Sequence, residues 1–254
     1  MPIPRLIHQT FFKKDGLHPA IQANITSLKS RNPEWMYTLY DDQDVEDFIR
    51  KHYPPEVMRL YKKIHPSYGA ARADLFRYLV VYKLGGVYLD IKSTADRPLE
   101  EVSDGMDYVL SHWRKKPKRM FRPEDERKVP YGEYQNWHVI ASQEHPFLKA
   151  VLDQVFDNIE NYSVEKFGVG FVGAIRTTGP VAYTLAILPL VDQYPHRLYY
   201  RNQVAGLHYT VFEDMGVHRT AAYGTTQHYS MSRMPIVLRD SANGLIPQKE
   251  LVNG

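Results

Sequence analysis

The chain has no cysteine among its 254 residues. That excludes disulfides and thiolate metal sites, and with them a small secreted fold stapled by bridges. Long hydrophobic runs are also missing. The longest apolar stretch, Val181 to Val191, is broken by Tyr183, Thr184 and Pro189, and it falls short of the roughly 20 apolar residues that span a bilayer. Met1 to Arg5 carries two prolines and no apolar run ahead of a small-residue cleavage site, so no signal peptide is expected. These absences predict a soluble, cytoplasmic protein without a transmembrane segment. A large excess of one charge sign is absent too. Lys and Arg number 32 against 29 Asp and Glu, leaving +3, which suits phosphate-bearing ligands without the basic face that nucleic acid demands. Only Arg114 to Arg119 approaches such a face. Acids at Glu124, Asp125 and Glu126 follow it and no aromatic interleaves it, so it reads as a solvated or acceptor-facing loop, and no nucleic-acid partner is expected.

What is present is an ordinary globular balance, 43% apolar and 24% charged, in a chain long enough for one large α/β domain. Aromatic content is high at 13%, with 19 tyrosines. Rings with a polar tip suit a surface that grips sugars, and they equally fill the edges of a core. Along the chain, Arg5 to Thr10 and Trp35 to Tyr40 read as strands, with helical pattern from Pro19 between them. Asp41 and Asp42 supply cap chemistry for a helix through His52, and Pro54-Pro55 opens another to about Ile64. Tyr68 to Leu84 is the clearest helix, closed by Gly85-Gly86, where glycine permits a left-handed cap. Strands follow at Val87 to Ile91, Met106 to Trp113 and Trp137 to Ala141, with helices opened by Pro146 and by Thr178-Gly179-Pro180. The alternation predicts one domain over 1–254, a mostly parallel Rossmann-like sheet flanked by helices.

The chemistry concentrates between residues 68 and 92. On the helix, Ala70, Asp74, Arg77, Tyr78 and Val81 share one side, so an acid and a base one turn apart should lie inside. Burying such a pair costs several kcal/mol, roughly, unless the charges meet each other or bind something. After the glycine turn, Tyr88 and Asp90 stand two apart and project from one face of a strand. Asp90 lies near that strand's carboxyl end, where open α/β sheets bind ligands. An acid there can ligate a divalent cation bridging the two phosphates of a nucleotide-sugar, and Arg77 can add positive charge to the departing diphosphate.

Other motifs carry less. Gly168-Val-Gly-Phe-Val-Gly fits a dinucleotide fingerprint but lacks the preceding strand, and reads as a flexible loop. Asp42-Gln-Asp44 is a literal Asp-X-Asp at a helix start, where acids cap. His208, His218 and His228 lack metal-site spacing.

The runs from Tyr68 to Tyr78 and from Gly85 to Lys92 resemble the DXD region of glycosyltransferase family 32. That family includes yeast initiating mannosyltransferases and capsular-polysaccharide enzymes, and it is distantly similar to the large clostridial toxin glucosyltransferases. The resemblance extends to Ile3 to Thr10, Tyr40 to Asp42, Asn136 to Phe147, Thr178 to Pro180 and, more weakly, His228-Tyr229. It implies a GT-A fold, a nucleoside-diphosphate sugar donor, a carbohydrate acceptor, hexose transfer with retention, and Mn²⁺ or Mg²⁺. By position, Asp74 would hold donor hydroxyls and Arg77 would reach the sugar or diphosphate. Asp90 and His228 would face the metal. Ile7, His8, Gln9 and Thr10 would line the nucleotide pocket, with Tyr88, Gly85 and Gly86 beside the donor.

One residue departs from the pattern. Lys92 stands where the family has its second acid, so the motif reads Asp-Ile-Lys. Three readings of Lys92 stay open: Asp90 and His228 still hold a metal, Lys92 charges the diphosphate directly, or Lys92 points away and the enzyme is weak or inactive. The rival function is a non-catalytic sugar- or nucleotide-binding module that kept the fold and lost turnover.

Overall fold

The computed structural model describes residues 2–113, 121, 129, 131–213, 229–241 and 244–247. The basic run 114–119 and His228 lie outside them. At the centre is a six-stranded sheet formed by β1 (Leu6–Thr10), β2 (Met36–Tyr40), β3 (Gly86–Leu89), β5 (Tyr108–Ser111), β6 (His138–Ala141) and β7 (Arg197–Tyr199), in the order β2-β1-β3-β6-β5-β7. The pairs β1–β2, β1–β3 and β5–β7 are parallel, while β6 runs antiparallel to both neighbours. The short β4 (Thr94–Ala95) pairs with β8 (Leu207–His208), and β9 (Leu238–Ser241) with β10 (Gly244–Pro247).

Strand alternation sorts the core into two layers. Tyr88, Tyr108, Leu110, Val139 and Ala141 face one side, packing with α4 (Gly69–Leu84), α6 (Pro146–Glu160) and α9 (Pro180–Ile187). Val87, Leu89, Val109 and Ile140 face the other, against Leu28 of α1 (Pro19–Arg31) and Leu99 and Val102 of α5 (Leu99–Ser103). Period-two projection thus buries both faces of the central strands, as a sheet covered on both sides requires.

Local chemistry sets the helix ends. Pro19 sits at the start of α1 behind His18, whose ring accepts from the Ala20 N–H. A reciprocal capping box between Asp41 and Asp44 opens α2 (Asp42–His52), so the literal Asp-X-Asp there is a cap. Pro55 opens α3 (Pro55–Lys63). The last residue of α4 is followed by Gly85 at φ +69° and Gly86 at φ +100°. A Cβ on Gly86 would come within 2.6 Å of the Leu6 carbonyl oxygen, so the turn also lets β3 lie close against β1.

The structure departs from the sequence reading at 168–173. Instead of a loop, Gly168 closes the one-turn α7 (Val164–Phe167) and Gly170 starts α8 (Gly170–Thr177). These glycines serve close packing: a Cβ on Gly173 would meet the Gly168 carbonyl at 2.5 Å, and one on Gly170 the Ser230 carbonyl at 2.8 Å. The stretch Gly170–Leu190 is, by length and composition, apolar enough to cross a membrane, which a reading started at Val181 overlooked. Of its apolar window 67% is buried inside the fold, and it is broken at Thr178-Gly179 between α8 and α9.

Candidate active site

A cavity of about 430 Å³ opens at the carboxyl edge of β1 and β3, within the roughly 300–1,000 Å³ usual for small-molecule sites. Thr10, Phe11 and Phe12 enter it from the end of β1, and Asp90, Ile91 and Lys92 from the end of β3. Helix α4 contributes Arg72, Asp74 and Arg77, and α8 contributes Phe171 and Ile175. Asn136 and Trp137 reach the same edge although they precede their strand. Because β6 is antiparallel, its beginning lies beside the end of β3, and the Asp90 N–H donates to the Trp137 carbonyl at 2.9 Å.

An ion cluster forms the floor. The Arg77 guanidinium meets Asp74 at 3.2 Å and Asp90 at 2.9 Å, and it donates to the Asn136 carbonyl. It also lies 5.0 Å from the centre of the Tyr88 ring. The Lys92 ammonium donates to the other Asp90 oxygen at 2.7 Å. Asp74 accepts from Asn136 Nδ2 at 2.9 Å and from Thr178 Oγ1 at 3.0 Å. Asn136 also donates to the Tyr78 hydroxyl, which donates to the Thr178 carbonyl. Helix α4, the turn after β3, the start of β6 and the start of α9 are thereby tied together by charge-assisted bonds.

Burial and pairing divide the two acids. Burial pushes the Asp74 carboxyl up to about 6 against the pull of Arg77. Burial acts the same way on Asp90, but Arg77 and Lys92 overcome it and hold that carboxyl below its ordinary value. Arg77 is raised, since Asp90 first and Asp74 second outweigh its burial. One guanidinium therefore serves two carboxylates, and Asp90 has the larger share.

Of the residues expected at the site, Asp74, Arg77, Tyr88, Asp90, Lys92 and Thr10 line the cavity. Ile7, His8, Gln9, Gly85 and Gly86 do not. Ile7 is fully buried in the core. His8 bonds the Gly85 carbonyl at 3.0 Å and the Tyr40 hydroxyl at 3.3 Å, and burial lowers its pKa to about 4, the value of a neutral structural imidazole. Gln9 stands behind the cavity wall, donating to the Asp90 carbonyl at 3.1 Å and accepting from the Tyr37 hydroxyl. Gly85 and Gly86 lie at the opposite end of β3 from Asp90. The physical reason is common to all five: only the carboxyl ends of these strands open onto the cavity.

Sequence reasoning assigned no role to Asn136, Thr178, Trp113, Trp137 or Tyr209. Asn136 and Thr178 fall inside segments that resemble the family, and that was the available signal. Trp113 and Trp137 each stack edge-on against Tyr209, at 5.3 and 5.8 Å, as an aromatic wall. The buried Trp137 Nε1 has no hydrogen-bond partner among the described residues.

Mn²⁺ or Mg²⁺ takes hard oxygen ligands, often one or two carboxylates completed by substrate phosphates and water; among the described residues no group of three His, Cys, Asp or Glu suited to a metal occurs. Both oxygens of Asp90 already face cations, Arg77 on one and Lys92 on the other.

Residues 19–110, from α1 through β5, match the glycosyltransferase sugar-binding region containing the DXD motif. The chain is 32% identical over 98 residues to inositol phosphoceramide mannosyltransferase 3 of Schizosaccharomyces pombe, covering 39% of this chain and 26% of that protein. It is 23% identical over 205 residues to the initiation-specific alpha-1,6-mannosyltransferase of the same yeast, covering 75% of this chain and 49% of that one. It spans less than half the length of either relative. Among solved structures, the UDP-bound glycosyltransferase domain of the YGT toxin superposes with a TM-score of 0.51 at 11% identity, covering 83% of this chain and 81% of that domain. The fold is the expected α/β architecture of GT-A type.

Proposed function

We propose that this chain, related over residues 19–110 to the DXD glycosyltransferases, moves a hexose from a nucleoside-diphosphate sugar to a hydroxyl of a carbohydrate acceptor, with retention. The observation that carries this reading is the Asp74–Arg77–Asp90 cluster at the floor of the cavity, inside the matched segment. Support also comes from relatives named as mannosyltransferases and a UDP-bound structural neighbour.

In the reaction the bond between the anomeric carbon and the diphosphate oxygen breaks, and its electron pair stays on that oxygen. The acceptor oxygen bonds the anomeric carbon, and its proton passes to the departing diphosphate. Arg77 is fixed by Asp74, Asp90 and the Asn136 carbonyl, so its charge is in place before negative charge develops, and no reorganisation is needed at the moment of reaction. Asp74 keeps lone pairs beyond those used by Asn136, Thr178 and Arg77, and these can accept a donor-sugar hydroxyl. Trp113, Trp137 and Tyr209 offer flat faces to a base or a pyranose ring.

The test is a panel of GDP-mannose, UDP-glucose and UDP-galactose, with and without Mn²⁺, read as nucleoside-diphosphate release and as the anomeric configuration of the product. At least one donor should turn over, and Asp90→Ala should lower the rate on the order of 100-fold or more. Absence of both binding and release with every donor would sink the reading, as would an Asp90→Ala variant that turns over like wild type.

A further inference from the structure

The turn Asp90-Ile91-Lys92-Ser93 is fastened on every side. The Ser93 N–H donates to the Asp90 carbonyl at 2.7 Å, and Gln9 donates to the same oxygen. The Val211 N–H donates to the Lys92 carbonyl at 2.8 Å, Ser93 Oγ to the Tyr209 carbonyl, and Asn24 to the Ser93 carbonyl. The Lys92 ammonium lies 2.7 Å from Asp90 Oδ2 and 4.4 Å from the centre of the Tyr209 ring. It lines the cavity, yet its side chain is only 4% exposed. Arg77 occupies the other Asp90 oxygen with a side chain 5% exposed.

A divalent cation seated on Asp90 would lie directly beside both of these cations, and their like charge opposes it. Both are buried against the carboxylate, and stranding a buried charge away from its partner is costly. Lys92 therefore blocks the position where a second acid would make Asp90 a metal ligand, and it puts a fixed positive charge there instead. A lysine ammonium is a compact point charge with three donors, and lysine is a common phosphate binder. From this geometry, and on the footing that the chain is a glycosyltransferase, we infer that Lys92 takes the place of the divalent cation: its ammonium, together with Arg77 across Asp90, binds and neutralises the diphosphate of the donor without a metal. Tyr209 is the positioning residue that holds the ammonium in place.

The test is calorimetric binding of UDP, GDP and the matching monophosphates to the whole chain, in excess EDTA and again in excess MnCl₂. One of the diphosphates should bind in EDTA, with a Kd that Mn²⁺ changes by no more than about twofold. Lys92→Met should weaken the diphosphate on the order of tenfold or more while leaving the monophosphate within about twofold, because the charge acts on the outer phosphate. Lys92→Asp, which restores an Asp-X-Asp, should make diphosphate binding depend on Mn²⁺. Thermal unfolding of both variants checks that they fold, and the wild-type comparison of EDTA with Mn²⁺ needs no variant. Wild-type binding that is lost in EDTA and restored by Mn²⁺ overturns the inference while leaving the glycosyltransferase reading intact. A Lys92→Met variant that keeps the full preference for diphosphate over monophosphate overturns it equally. Failure of every nucleotide to bind under both conditions removes the glycosyltransferase reading, and the inference falls with it.

Discussion

Asp74→Asn isolates the cost of burying the ionised Asp74. The substitution keeps the shape, and both of the residue's hydrogen bonds survive: the amide oxygen can still accept from Asn136, and the amide nitrogen can donate to Thr178 once that hydroxyl turns toward the Ala174 carbonyl. Only the charge facing Arg77 is lost, and Arg77 keeps Asp90. The Asp74 carboxyl titrates near 6 in the folded protein against an ordinary value of 3.8, chiefly because of burial. A raised carboxyl means the folded state holds the proton more tightly than the unfolded chain. Its stabilising contribution is therefore fully present below about 4 and is lost as pH rises through about 6. At about 1.4 kcal/mol per pKa step, the interval from 3.8 to 6 corresponds to about 3 kcal/mol. The amide cannot ionise, so the variant should gain about 3 kcal/mol on wild type between roughly pH 4 and pH 7.5. Urea unfolding of both proteins at several pH values measures this, and the difference between them cancels the titrating groups that do not interact with Asp74. A constant difference across the range refutes the reasoning, and so does a wild type that gains on the variant as pH rises. Either result would mean that Arg77, not burial, governs this acid.

Gly86→Ala should cost about 2–5 kcal/mol, since it forces a side chain to φ +100° and drives its Cβ to 2.6 Å from the Leu6 carbonyl. Urea denaturation would show the loss, and a loss below about 1 kcal/mol would mean β1 and β3 can move apart cheaply. Tyr183→Phe removes one half of the buried pair in which the Tyr108 and Tyr183 hydroxyls lie 2.7 Å apart. It should destabilise by about 1–3 kcal/mol in the same urea measurement, with part of the loss recovered when Tyr108→Phe is added, because the orphaned hydroxyl is then gone too.

Much of this site is legible from spacing. Asp74 and Arg77 are three apart on a helix, and Tyr88 and Asp90 two apart at a strand end, so period alone brings the two pairs together on either side of a glycine turn. The capping box of α2 is equally local. What spacing does not reveal is which end of a strand faces the ligand. Ile7, His8 and Gln9 belong to a strand next to the site, yet burial on both faces leaves only Thr10 at the open edge. Gly85 and Gly86 are near Asp90 in sequence and a strand's length away in space. Asn136 and Trp137 reach the cavity because β6 is antiparallel, a property of the assembled sheet that residues 136–141 do not encode. Gly170 and Gly173 look like loop residues until the 230–236 segment packs against them. Glycine there answers a tertiary contact, which no local pattern reports.

The Arg77 network also has a bearing on folding kinetics. The bond from Arg77 to the Asn136 carbonyl joins residues 59 apart in sequence, and that from Thr178 to Asp74 residues 104 apart. The Tyr68 hydroxyl reaches the Met234 carbonyl across 166 positions and also accepts the Gly170 N–H. Loops of such length close late, after helices and nearest-neighbour strands have formed. The binding floor should thus be among the last parts of the molecule to assemble, and an early folding intermediate would carry secondary structure with no competent site. A ligand added at the start of refolding should then leave the folding rate almost unchanged and slow unfolding instead.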